Sequence, residues 1–150
     1  MEILKWVGSF AIAILAGASL VIQSSLNAQV RSVWGSPAWA ALISYLGGSI
    51  VMILVLLIIR PAVPDFEVLQ RARWVTYLGG FFGACYVVSL IVIIPVLGNA
   101  TSFSLLVAGQ MVCALVLDHF ALLGAAESSM DPKKMMGVVL LSAGVYFIRV

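Results

Sequence analysis

Ionisable and amide side chains set in long apolar runs are where chemistry would lie in this sequence, and there are few of them. Asp118 and His119 are adjacent in one such run, and Gln110 lies eight residues before Asp118, near the run's middle and on a nearby helical face. A carboxylate at mid-bilayer costs roughly 2.5–3.5 kcal/mol on insertion scales. Such a group persists where it binds a cation, relays a proton or pairs with a positive charge. Asp118 is the one acidic residue inside an apolar run, which makes it the first candidate for ion or proton coupling. It also lies about five residues from the expected end of its helix, roughly 7 Å along the axis, so a headgroup position fits it equally. His119 projects about 100° away around the helix, so the pair need not act as one relay. It is the second coupling candidate.

The other polar set is on the first apolar run. Ser19, Gln23 and Asn27 step by four and share a helical face, which Ser9 and Ala16 continue with small side chains. Two roles fit such a row, the lining of a cavity or interhelical hydrogen bonding near the membrane surface. Gln23, Asn27 and Gln110 are accordingly the candidates for a substrate-binding or cavity-lining role. Cys85 and Cys113 fall inside apolar runs and read as small packing residues. His119 has no second histidine or cysteine near it, so no metal site is expected. A nucleophile with a positioned base and a phosphate-cradling glycine loop are both missing, so neither an enzyme nor a cofactor is expected.

The elements that must hold these residues follow from composition. Of 150 residues, 63% are hydrophobic and 9% charged, with a mean hydropathy of +1.18. Soluble domains carry roughly 25% charged residues. Too few charges are present to cover a water-exposed surface, so the lipid bilayer is the expected solvent and first partner. The net charge is +2, and the basic residues occur singly or in pairs between apolar runs. That spacing suits topology determinants and not the clustered basic face of a nucleic-acid binder.

Five apolar segments have the length to cross a hydrocarbon core of about 30 Å. They cover about 6–27, 37–59, 74–94, 101–123 and 134–149. Lys5 before the first could suggest a cleaved signal peptide, but the same apolar character recurs four more times, and the segment reads as a span. Pro37 suits a first helical turn, Arg60-Pro61 ends the second segment, and Pro95 with Gly98 stops the third. No period of two suggests strands, and an open sheet edge could not be satisfied in lipid. The expectation is an all-α integral membrane protein, a single domain over 1–150 built as a bundle of five transmembrane helices. Lys5, Arg60, Arg71, Arg73, Lys133 and Lys134 fall on one side of such a bundle, and Arg31 and Arg149 on the other. Six against two places the N-terminus in the cytoplasm and the C-terminus outside. Small residues at four-residue steps, such as Ala40, Ser44 and Gly48, or Gly79 and Gly83, serve helix packing or a dimer seam.

Taken together these motifs resemble the YdcZ-type family of short proteins in the drug/metabolite transporter (DMT) superfamily. The matching residues are Gln23 and Asn27; Ser36, Pro37, Ala40, Ala41, Ser44, Tyr45 and Gly48; the run Gly79-Gly80-Phe81-Phe82-Gly83-Ala84 with Tyr86; and Pro95, Gly98, Ala100 and Thr101. Gly109-Gln110 followed by Asp118-His119-Phe120, then Leu122 and Gly124, is the most specific part, with Gly137 and Gly144 completing it. Ala121 stands where the family pattern has glycine. The resemblance implies a small-molecule transporter, an exporter, in the cytoplasmic membrane of a bacterium. It also implies that five spans form one half of a ten-span transporter, whose substrate site lies between two inverted halves. A dimer with a second five-span chain, identical or different, is therefore expected. The charge bias leans away from an identical inverted partner. A membrane scaffold or regulatory subunit that transports nothing is the alternative, and it treats the polar residues as structural hydrogen bonds.

Overall fold

Why the chain turns where it does is legible residue by residue in the computed structural model, which describes residues 2–71, 73–125, 128 and 131–149. Helix α1 spans Glu2–Trp34 and α2 spans Pro37–Ile59. The first helix is thus longer at both ends than the span expected over 6–27. It stops at Gly35, whose φ of 70° lets its N–H bond the Arg31 carbonyl at 2.8 Å, the left-handed cap that glycine accepts without a steric penalty. Ser36 then caps α2 with its side chain, accepting from the Trp39 N–H at 3.4 Å, and Pro37 occupies the first turn. At the far end Arg60 adopts a left-handed conformation, φ 49° and ψ 52°, and Pro61 prevents continuation. The polar stretch that follows contains a short helix, α3 (Phe66–Arg71).

A 3-10 turn (Trp74–Leu78) leads into α4 (Gly79–His119), the element that carries both the third and the fourth expected spans. Its 41 residues would extend about 60 Å as one rod, twice the hydrocarbon thickness. It is not one rod. Pro95 lies inside it, and Gly98 breaks the helical path with φ 76° and ψ 166°, a conformation open to glycine and strained for other residues. The helix ends at His119, earlier than the expected Leu123, because Ala121 takes φ 47° and ψ 39°. A left-handed alanine costs roughly 1 kcal/mol against glycine. The Asp118 carbonyl left over at the helix end accepts from the Ser128 N–H at 3.0 Å. Helix α5 spans Pro132–Arg149.

Among the described residues, three helical stretches are long and apolar enough to cross a membrane: Trp6–Trp34, Pro37–Ile59 and Trp74–His119. Among the described residues no strand occurs. Large apolar side chains such as Ile12, Ile14, Ile58 and Leu57 are exposed along α1 and α2. Such a surface is untenable in water and natural in lipid. The chain divides into two compact units, 1–95 and 96–150. In the first, Ala40, Ala41, Val87 and Ile91 form the buried core, with Val30, Tyr86 and Val88 packed on it. Two alanines on α2 let that helix come close to α4, the use of small residues that membrane helices depend on. Gly83 does the same on α4: a Cβ added there would lie 2.8 Å from the Tyr45 hydroxyl oxygen.

Candidate functional site

In the first unit, Ser44 on α2 joins the polar row of α1. Gln23 Nε2 donates to Ser44 Oγ at 3.1 Å, and Asn27 Nδ2 donates to the same oxygen at 3.2 Å. The four-residue step on α1 stacks the two amides one turn apart, so both reach a single hydroxyl on the neighbouring helix. Asn27 is buried, at 7% exposure, whereas Gln23 is exposed. An open cleft of about 350 Å³ lies over this triad, lined by Ser19, Ile22, Gln23, Leu26, Asn27 and Ser44. A second cleft of about 440 Å³ shares Gln23 and Ser44 and continues along α2 past Tyr45, Gly48 and Ser49. Neither has a charged side chain in its wall. Ser19 and Gln23 stand near the middle of Trp6–Trp34, a stretch long and apolar enough to cross a membrane, and at the centre of a bilayer lipid offers no hydrogen bonds.

Arg31 continues the same face one turn beyond Asn27, but its bonds go elsewhere. Its Nη1 donates to the Ile91 carbonyl at 2.8 Å and to the Val92 carbonyl at 3.3 Å. Ile91 is four residues before Pro95, and proline has no N–H to give it. The guanidinium thus supplies the hydrogen bond that the proline removes from α4. By sequence Arg31 reads only as a topology charge; its spacing from Asn27 was the available signal, and its partner on α4 could not be foreseen. Ser44 likewise reads as a small residue in a packing row and as part of the family resemblance, with no sign that it is a hydrogen-bond acceptor for α1. Tyr86 is a further residue of interest in this unit, its buried hydroxyl without a hydrogen-bond partner among the described residues.

The second unit holds the remaining sequence candidates. Gln110 is exposed on α4. Asp118 is half-buried in the last turn of the same helix, one residue from its end, and His119 is exposed with its ring edge-on to Phe120, centroids 4.8 Å apart. A carboxylate at a helix C-terminus faces the negative end of the dipole, an unfavourable place by about 0.3–1 kcal/mol. A cavity of this unit, about 660 Å³, is an apolar groove whose walls include Val107, Gly137, Leu141 and Gly144. Its one hydroxyl, on Ser104, is turned to the Ala100 carbonyl at 2.8 Å. Of these clefts, the α1–α2 groove carries polar chemistry and the 660 Å³ groove does not. Among the described residues no cluster of histidine, cysteine and carboxylate groups could hold a metal ion.

Long apolar helices with a hydrogen-bonded polar groove at mid-depth define an integral membrane protein of the helical class. More narrowly, the chain belongs to the family described as "Putative inner membrane exporter, YdcZ", whose model matches residues 9–147. It is similar to the inner membrane protein YdcZ of Escherichia coli (strain K12), with 26% identity over 140 residues, 93% of each chain. No solved structure matches it. Family and helices agree on a multi-pass protein of a bacterial inner membrane.

Proposed function

We propose that this protein exports a small molecule across the inner membrane, with the α1–α2 groove forming part of the solute path. The observation that carries the proposal is the meeting of Gln23 and Asn27 on Ser44 Oγ inside an open cleft. Polar groups at that depth are costly unless paired or facing water, and this triad is both paired and open. Membership of an exporter family supports the same reading.

The chain crosses the membrane five times in this account. The break at Gly98 supports it, because 79–97 and 99–119 are each about 30 Å long, one crossing apiece. Helix α5, at 18 residues or about 27 Å, supplies the fifth. Five crossings form one half of an inverted-repeat transporter, and the functional unit is a dimer with a second five-span chain, the two halves rocking to expose the site alternately. The N-terminus is cytoplasmic and the C-terminus outside. Gln110 contributes a further contact on the solute path. Asp118 carries the coupling proton or ion, with His119 beside it in sequence.

Proteoliposomes loaded with a mixture of small metabolites and drugs test this directly, with mass spectrometry of what leaves when a proton gradient is imposed. Gradient-dependent loss of at least one compound is expected from the wild type. Asp118→Asn is expected to abolish it while inserting normally, and to raise the unfolding free energy slightly, by about 0.3–1 kcal/mol, through relief of the dipole clash. Full efflux by Asp118→Asn would remove that residue from the mechanism. Retention of every compound by the wild type would contradict export.

A further inference from the structure

The groove's hydrogen-bonding inventory narrows the solute class. Five helix serines, Ser19, Ser25, Ser102, Ser104 and Ser142, turn their hydroxyl protons back to the carbonyl four residues earlier, at 2.7–2.9 Å. Ser44 does not: its oxygen accepts from Gln23 and Asn27 instead. A hydroxyl oxygen has two lone pairs, and here both are taken. The Ser44 proton can then only be given away, and among the described residues it has no recipient. Each amide has spent one N–H on Ser44 and keeps a second N–H and its carbonyl oxygen. Ser19 has donated its proton to Leu15 and keeps acceptor capacity. The cleft thus presents donors and acceptors together, and its lining bears no formal charge.

From this inventory, and resting on the groove as the solute path, we infer that the groove receives a neutral group that both donates and accepts hydrogen bonds, a hydroxyl or a primary amide, and rejects formal charge. A cationic group would find no carboxylate in the wall. An anionic group would meet the Ser44 proton and the spare amide N–H groups but no positive charge, since the nearest guanidinium, that of Arg31, is bonded to the Ile91 and Val92 carbonyls. Desolvating either kind of charge without a counter-charge is strongly unfavourable at this depth. A hydroxyl or amide replaces its water bonds one for one: Ser44 and one amide N–H donate to its oxygen, and the Gln23, Asn27 and Ser19 oxygens offer acceptors for the one proton of a hydroxyl or the two of an amide. Selection works here by matching neutral bonds and not by charge.

The test uses the full chain in liposomes with Cys85→Ser and Cys113→Ser, and Ile22→Cys as a reporter in the cleft wall, where Ile22 is 62% exposed. Three methanethiosulfonates are compared, carrying a hydroxyethyl, a trimethylammonioethyl or a sulfonatoethyl group, each rate divided by that reagent's rate with a free thiol in buffer. The neutral hydroxyl reagent is expected to be favoured about tenfold over both charged ones. That advantage is expected to shrink severalfold in Ser44→Ala and to persist in Ser44→Thr, which keeps the hydroxyl and guards against a folding defect. A charged reagent that reacts as fast as the neutral one would overturn the solute class while leaving the groove as a path. An advantage that survives intact in Ser44→Ala would also overturn it, since the ranking would then reflect a hydrocarbon surrounding alone. No reaction with any reagent would remove the groove from the solute path, and the class with it.

Discussion

Ser44 is the residue on which the polar groove turns, because two amides from another helix depend on one oxygen. Interhelical hydrogen bonds in membranes average about 0.6 kcal/mol and reach about 1.7, so each bond is modest. Their sharing has a sharper signature than their size. Asn27→Ala removes one bond, Ser44→Ala removes both, and the double variant should cost no more than Ser44→Ala, apart from the loss of Asn27 packing. A thermodynamic cycle measured by reversible unfolding in bicelles should therefore show clear non-additivity, of about 0.5–1 kcal/mol. Strict additivity would mean that the two side chains do not meet. The row of Ser19, Gln23 and Asn27 is legible in the sequence, since a four-residue step on a helix can only make one face. Which neighbour that face meets is not legible, because it depends on how two helices cross. Ser44 carries no mark that separates a hydrogen-bonding serine from a packing one.

At the scale of elements, the turns and stops are the best-determined part of the chain. Ser36-Pro37, Arg60-Pro61 and Pro95 with Gly98 each act through local stereochemistry, and α2 and α4 begin, end or break where those residues require. Two features escaped local rules. Ala121 ends α4 in a left-handed conformation that nothing in an alanine announces. Arg31 repairs α4 from a position sixty residues away in the chain, replacing the N–H that Pro95 lacks. The repair makes a specific forecast. Arg31→Ala should destabilise the first unit by about 1–2 kcal/mol. In a Pro95→Ala background the helix regains its own donor to Ile91, and the same change should cost well under half as much. Equal cost in both backgrounds, measured by thermal unfolding in detergent, would separate the arginine from the proline.

For the whole molecule, lipid as solvent gives the polar groups their meaning. Apolar side chains cover α1 and α2, so an exposed amide or hydroxyl at mid-depth needs a partner or water, and in the groove Gln23 and Asn27 have Ser44 as a partner beside an open cleft. In the proposed five-crossing dimer the second five-span chain is inverted: crosslinking in lipid with a tag on each terminus should join the N-terminus of this chain to the C-terminus of its partner. N-to-N links alone would contradict it. The claim that a solute path runs through the groove is tested most directly by Gln23→Cys, in a background without other cysteines, in vesicles probed with a membrane-impermeant thiol reagent from one face and then the other. Labelling from both faces is expected, with the favoured face changing when a proton gradient is imposed. Labelling from one face only under every condition, or from neither, would contradict it.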